Sequence, residues 1–132
     1  MKIRAHLPSL LCVLTLLGGC SGLGLSSQEG PPSQAAQNAL AQVQQQYSAG
    51  QYGTVIRTVA TSDDIAAAPK SLRIEAYKLQ AFSYCVRKYS QLCEETFVRI
   101  LQLDSDFTLA PNEAGHPQWG PVFTSAQARV GK

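Results

Sequence analysis

Histidine is scarce in this sequence, and neither sign of charge is in clear excess. The chain has 132 residues with two histidines, and 11 Lys and Arg residues stand against nine Asp and Glu. Without residues 1–19, which we predict to be a removed signal peptide, His116 is the single histidine and nine basic residues face nine acidic ones. A single histidine cannot build a two-histidine metal site, and a neutral chain lacks the basic surface that nucleic acids require. We therefore expect no nucleic-acid partner, metal, small-molecule substrate or catalytic residue.

Long hydrophobic runs are missing as well. The most apolar stretch, residues 7–17, contains Pro8 and is about half the length of the roughly 20 residues that span a bilayer. It comes after Lys2 and Arg4, so a short positive segment precedes a short apolar one. This order is typical of a removable secretory signal peptide, which we predict for residues 1–19. A permanent transmembrane helix is the alternative.

The segment Leu17-Gly18-Gly19-Cys20 ends the apolar stretch. It resembles the bacterial lipobox, in which small residues before a cysteine admit a lipoprotein signal peptidase and the thiol becomes diacylated. The resemblance implies a covalent lipid on Cys20 as the first residue of the mature chain. Ser21 rather than Asp implies sorting to the outer membrane, with the protein on its periplasmic face. An ordinary signal peptide, with Cys20 as a free or bridged thiol, is the alternative.

Residues 20–34 differ in composition from residues 35–132. They are rich in Gly, Ser, Pro and Gln and carry few side chains that could form a core. Such a segment cannot bury enough apolar surface to fold, so we predict a flexible tether. About 14 residues of this kind span on the order of 20 Å, which keeps one folded domain, residues 35–132, close to the membrane.

Helical periodicity dominates the folded domain. Apolar residues recur at spacings of three and four in four segments, which are 34–49, 55–60, 72–87 and 90–103. Gly50 separates the first two segments and residues 87–90 separate the last two. The pattern predicts an all-α fold with two hairpins of antiparallel helices, joined by a small-residue linker at 65–69. Ser71 is the expected N-cap of the third helix, which we place centrally because it is apolar on more than one side.

The two hairpins share one plan. A shift of 37 residues places Tyr47 on Tyr84 and Tyr52 on Tyr89. The spacing of these aromatic residues around a tight turn resembles the second half of a tetratricopeptide repeat. About two repeats are present, fewer than the three that a self-sufficient stack usually needs. We therefore expect another part of the chain to cap the open end.

The tail is rich in proline and aromatic residues. Residues 105–123 hold three of the seven prolines and the only Trp. Because proline fixes φ and removes a backbone donor, we predict an ordered loop over 107–116. A short last helix is expected to begin at Pro117 or Pro121 and to reach about residue 128.

Trp119 and Phe123 allow two interpretations. Large apolar side chains can fold back over the fourth helix and cap the repeats, or they can stay partly exposed and contact a partner protein. His116 belongs to the same candidate set. Paired with Glu113 or Asp106 it offers the one enzyme hypothesis, a small periplasmic hydrolase, against the alternative of a hydrogen-bonded loop residue.

Cys85 and Cys93 can bridge only across a turn. On one continuous helix eight residues would separate their α-carbons by about 12 Å, beyond the roughly 4.4 to 6.8 Å that a disulfide tolerates. The turn predicted at 87–90 brings them within reach, and an exported protein folds in an oxidising compartment. Two buried free thiols at a helix crossing are the alternative.

The whole arrangement resembles a known family. The lipobox, the tether, the two hairpins and above all residues 114–123, AGHPQWGPVF, are similar to the small tetratricopeptide-type lipoproteins found with type VI secretion systems, the TssQ-like family. The resemblance implies a non-enzymatic accessory protein, anchored to the outer membrane, with a protein partner in the envelope secretion complex. A pilotin or outer-membrane assembly lipoprotein, for a secretin or a barrel protein, is the alternative.

Overall fold

A computed structural model describes residues 29–132, which form seven α-helices and contain no β-strand. The helices are α1 Gln34–Ser48, α2 Tyr52–Thr61, α3 Asp63–Ala66, α4 Lys70–Val86, α5 Ser90–Leu103, α6 Pro111–Ala114 and α7 Gly120–Arg129. They account for 71% of the described residues, so the all-α prediction is confirmed. None of these helices is long and apolar enough to cross a membrane. The predicted signal peptide, the lipobox with Cys20 and the first part of the tether lie outside the described residues.

The first hairpin is formed by α1 and α2. Helix α1 begins at Gln34 because the Ser33 hydroxyl accepts the N–H of Ala36 at 3.1 Å. The chain reverses at Gly50, whose φ of +72° is a conformation that side chains with a Cβ rarely adopt. Helix α2 then packs back along α1 and against α4.

The predicted linker at 65–69 is wrong in part, because it includes the end of the short helix α3. The Ser62 hydroxyl accepts the N–H of Ile65, and the Ile65 side chain is fully buried. The predicted N-cap at Ser71 is also wrong, since α4 already begins at Lys70. The carboxylate of Glu29 accepts the Lys70 N–H and so caps α4 from a distant part of the chain.

Helix α4 is central, as predicted from its pattern. It packs against α1 and α2 on one side and against α5 on the other. Two buried clusters result, one with α1, α2 and α3 and the other with α5, the tail and α7. Tyr47 and Tyr77 are half-buried and touch both clusters. The second hairpin, α4–α5, turns through Lys88, which has a φ of +66°.

The tail adds α6 and α7. The predicted loop at 107–116 is corrected by α6, where Pro111 occupies the first turn and the Glu113 carboxylate accepts the N–H of Ala110 at 3.1 Å. Helix α7 begins at Gly120 with Pro121 in its first turn, which agrees with one of the two predicted starts. It packs against α5 and closes the stack.

Candidate functional site

Trp119 lies inside a stack of three rings. Its indole faces the imidazole of His116, with ring centroids 3.4 Å apart and an interplanar angle of 3°. The opposite face lies on Phe82 of α4, with centroids 4.1 Å apart and an angle of 21°. The indole is 8% exposed, and its Nε1–H donates to the carbonyl of Glu113 at 2.9 Å. Both the apolar body and the polar atom of Trp119 are therefore satisfied internally.

A glycine allows the tail to fold this tightly. The Gly120 N–H donates to the carbonyl of His116 at 2.8 Å. A Cβ on Gly120 would lie 2.7 Å from the carbonyl oxygen of Ala114, which is too close for any real contact. Gly120 is thus the point at which α7 passes over the end of α6.

Phe123 is buried beside this stack. Its ring meets Phe97 of α5 edge to face at 5.2 Å and Phe107 at 5.8 Å. Trp119 and Phe123 therefore occupy the core, as the cap interpretation requires, and their side chains do not form an exposed contact surface. Of the three candidate tail residues, only His116 is partly exposed.

A charged cluster joins the tail to α4. The ammonium of Lys78 lies 2.9 Å from the carboxylate of Glu113 and 3.3 Å from that of Glu75. Burial by itself lowers the pKa of Lys78, but the hydrogen bond to Glu113 and the two negative charges outweigh burial, so the pKa is raised above its usual value. The charged form of Lys78 is thus favoured where the tail meets α4.

His116 is engaged within the tail rather than with an acid. Its Nδ1 accepts the backbone N–H of Gln118 at 3.2 Å. In the described part of the chain no hydrogen bond joins it to a carboxylate: Glu113 is paired with Lys78, and Asp106 lies 3.6 Å from Lys132. The structure therefore does not assemble the pair on which the hydrolase hypothesis depends. Nor do residues 29–132 bring together three metal-ligating side chains.

A disulfide joins Cys85 and Cys93 across the turn of the second hairpin. The α-carbons are 5.3 Å apart and the sulfurs 2.08 Å. Both side chains are buried, and together they fix the last turn of α4 against the first turn of α5.

A groove that the sequence analysis missed runs between α2, α4 and α5. It encloses about 250 Å³. Its lining residues are Ala60 of α2, Gln80 and Tyr84 of α4, and Leu92, Glu95, Thr96 and Arg99 of α5. The floor is polar, because the buried Gln80 lies there with its Nε2 donating to the carbonyl of Ile56 at 3.1 Å.

Of the two large apolar side chains that stand out as exposed in residues 29–132, one lines this groove and the other packs against a lining residue. Leu92 is 42% exposed and lines the groove, and Tyr89 is 47% exposed and packs edge to face against Tyr84. The position of Leu92 in α5 agrees with its exposure. The buried stripe of α5 runs through Cys93, Phe97 and residue 100, and Leu92 lies beside that stripe.

One arginine lines the same groove and another lies beside it. Arg87 lies over the ring of Tyr89 at 5.5 Å, and Arg99 lies over the ring of Tyr77 at 5.2 Å. Arg87 also lies against α2, since a Cβ on Gly53 would be 3.4 Å from its guanidinium. Neither arginine forms an ion pair with any residue in the described range.

Comparison with known proteins gave no relative. No protein-family model matches the chain, and neither the curated proteins nor the solved structures contain a significant match.

Proposed function

We propose that this protein is a lipid-anchored, non-enzymatic adaptor of the bacterial envelope, held at the periplasmic face of the outer membrane and acting with a type VI secretion complex. The groove carries the adaptor part of this proposal. The exposed Leu92 and Tyr89 lie beside arginines that form no ion pair within residues 29–132, and this is the composition of a protein-binding surface, in which aromatic residues and Arg are enriched.

The tail supports an adaptor rather than an enzyme. Its only histidine stacks on Trp119 and accepts a backbone hydrogen bond, so these groups stabilise the cap. Lys78 and Glu113 likewise hold the tail on α4. The histidine and the aromatic residues of segment 114–123 therefore close the helical stack.

The compartment is supported by two independent features. The sequence of residues 17–20 resembles a lipobox, and the buried disulfide between Cys85 and Cys93 is typical of proteins that fold in an oxidising environment. The type VI assignment rests on the resemblance of residues 114–123, together with the lipobox and hairpins, to the TssQ-like family.

Purification from crosslinked cells tests the proposal. The tagged full chain is crosslinked in intact cells, solubilised from the envelope and purified, and the captured proteins are identified by mass spectrometry. We expect membrane components of the type VI complex, at levels lost when Cys20→Ala removes the anchor. Recovery of a secretin or a barrel-assembly protein would replace the type VI assignment with the pilotin alternative, and recovery of no envelope protein would overturn the adaptor function.

A further inference from the structure

Some of the basic residues of this domain form ion pairs and others do not. Nine Lys and Arg residues lie in residues 29–132, and the four that form ion pairs are Arg73, Lys78, Arg129 and Lys132. Of the five without an ion pair in that range, Lys70 is at the start of α4 and Lys88 is in the α4–α5 turn. The remaining three are Arg57, Arg87 and Arg99: Arg99 lines the groove, Arg87 lies over Tyr89 beside it, and Arg57 is in α2.

Arg57 belongs to the α2 wall by helix geometry. It is four residues after Gly53, which lies against Arg87, and three before Ala60, which lines the groove. Residues three and four apart share a face of a helix, so Arg57 stands between these two points. The Arg57 side chain is exposed.

The groove has the dimensions of a short helical segment. Along α5 the lining runs from Leu92 to Arg99, a separation of seven residues, which is about 10 Å or two turns. Apolar contact is offered by Leu92 and Tyr84, and a polar floor by Gln80. A partner helix that places apolar residues at spacings of three or four into such a groove is a recurring mode of peptide recognition.

The charge at the groove selects the partner. Arg99 lines it together with one acidic residue, Glu95, whose carboxylate accepts from the Gln91 amide at 3.0 Å, and Arg87 and Arg57 add two positive charges beside it. An acidic segment would neutralise the arginines, whereas a basic one would be repelled.

The groove is remote from the point where the chain enters the domain. Glu29 lies beside the start of α4, at Lys70 and Arg73, whereas the groove flanks the second half of α4. From Lys70 to Tyr84, α4 advances 14 residues, or about 20 Å. If Cys20 anchors the chain, the groove lies at the end of the domain farther from that attachment, which suits a protein partner better than the anchoring bilayer.

A second copy of this chain fits less well. The acidic pair Asp63-Asp64 is followed by Ile65, but that side chain is fully buried in its own core. This acidic pair therefore cannot supply both the charges and the apolar contact.

We propose that the groove between α2, α4 and α5 binds a short acidic and apolar helical segment of a partner protein, with Leu92 and Tyr84 making the apolar contacts and Arg57, Arg87 and Arg99 pairing with its carboxylates. This inference rests on the proposed adaptor function and gives the chemistry of its partner.

Site-specific photocrosslinking of the full lipidated chain in intact cells tests the groove directly. A benzophenone amino acid replaces Leu92 in one variant, and replaces Gln42 of α1 or Ala128 of α7 in two controls, both of which are exposed and outside the groove. The crosslinked partner segment is mapped by mass spectrometry. We expect a crosslink at position 92 to a segment that carries several Asp or Glu residues among apolar ones.

Charge variants then separate specific binding from proximity. Arg99→Gln or Arg57→Gln should reduce the crosslink yield at position 92 by about two- to fivefold, the effect of an exposed ion pair. Lys70→Gln removes an unpaired cation away from the groove and should leave the yield unchanged. A mapped segment without acidic residues, or an equal effect of Lys70→Gln, would overturn the proposal.

The remaining outcomes identify the other occupants. Crosslinks from position 92 to phospholipid or to a second copy of this chain would each overturn the partner-segment proposal. Sedimentation of the Cys20→Ala chain with phosphatidylglycerol vesicles would point to a lipid surface, and we expect none. A partner captured only from position 42 or 128 would be consistent with the adaptor function but would overturn the groove proposal. Failure to capture any protein from any of the three positions would overturn both proposals.

Discussion

The imidazole of His116 covers the outer face of the Trp119 indole, with the two rings nearly parallel at a 3° angle. Phe82 of α4 covers the inner face, so Trp119 fills the space between the second hairpin and the tail. This is where the two helical hairpins alone would expose their core, and the aromatic tail covers it. The single histidine of the domain thus completes a cap.

Trp119→Ala should destabilise the domain by about 3–5 kcal/mol, since a large buried side chain is replaced by a cavity. Trp119→Phe keeps a ring on Phe82 but loses the hydrogen bond to Glu113, so we expect a smaller loss of about 1–2 kcal/mol. Removal of the stacked ring in His116→Ala should reduce stability by about 0.5–1.5 kcal/mol. Urea unfolding of the mature protein followed by circular dichroism measures all three, and equal losses for the three variants would contradict the stack.

Two glycines of the tail provide a matched pair. Gly120→Ala would force a Cβ to within 2.7 Å of the Ala114 carbonyl, and we expect the resulting strain to reduce the free energy of unfolding by about 1–3 kcal/mol. Gly115→Ala meets no atom within 4 Å and has an ordinary φ of −85°, so it should be nearly neutral. The same urea experiment compares them, and similar stabilities would show that α7 does not pass over α6 this closely.

The sequence predicted a helix where the residues that determine it lie within that helix. The stripes of α1, α2, α4 and α5 repeat within each helix, so periodicity was sufficient to find them. The four-residue helices α3 and α6 are too short to show a period, and each depends on one nearby side chain, the Ser62 hydroxyl or the Glu113 carboxylate. The start of α4 depends on Glu29, which is 41 residues away in sequence.

Reduction of the disulfide should destabilise the domain by about 2–3 kcal/mol, the loop-closure effect expected for a separation of eight residues. Alkylation of the native protein should leave Cys85 and Cys93 unmodified, and alkylation after reduction should label both. The Cys85→Ala/Cys93→Ala variant provides the control, because its unfolding should not respond to reductant. Two thiols that are free in the native protein would show that the bridge is not formed.

Alkaline pH should destabilise the domain through two groups. Burial, and then the nearby Tyr52 and Glu113, raise the pKa of Tyr47, and the pKa of Lys78 is raised as well. A group with a higher pKa in the folded state stabilises it fully below the unfolded pKa, and this stability is lost as the pH rises through the folded pKa. We therefore expect the free energy of unfolding to fall above about pH 10, the ordinary range of tyrosine and lysine.

Two variants test this assignment by urea unfolding between pH 9 and 11.5. Tyr47→Phe and Lys78→Gln should each make the fall shallower, although Lys78→Gln also lowers stability at pH 9 because it breaks the ion pair with Glu113. An unchanged slope in the double variant would assign the alkaline loss to other groups.

The groove could not be predicted from the sequence because no single helix contains it. Gln80 occupies a position in α4 that looks like an ordinary polar residue, yet α2 and α5 bury it. Leu92 is apolar like the residues of the α5 core stripe, but it lies beside that stripe and is 42% exposed. The relative placement of three helices thus decides which residues line the surface.

Cys20→Ala should release the protein from membranes without changing its helix content. The first helix begins at Gln34, and of the described residues none before Ala36 belongs to the core, so loss of the lipid should leave the folded part unaffected. Fractionation of cells and circular dichroism of the released protein measure the two effects. A Ser33→Ala variant, which loses the α1 cap at Ala36, provides the opposite control: it should stay in the membrane fraction while losing about 1 kcal/mol of stability. If Cys20→Ala remains with membranes, an uncleaved signal segment or a membrane-bound partner retains it, and the mass of the variant distinguishes the two.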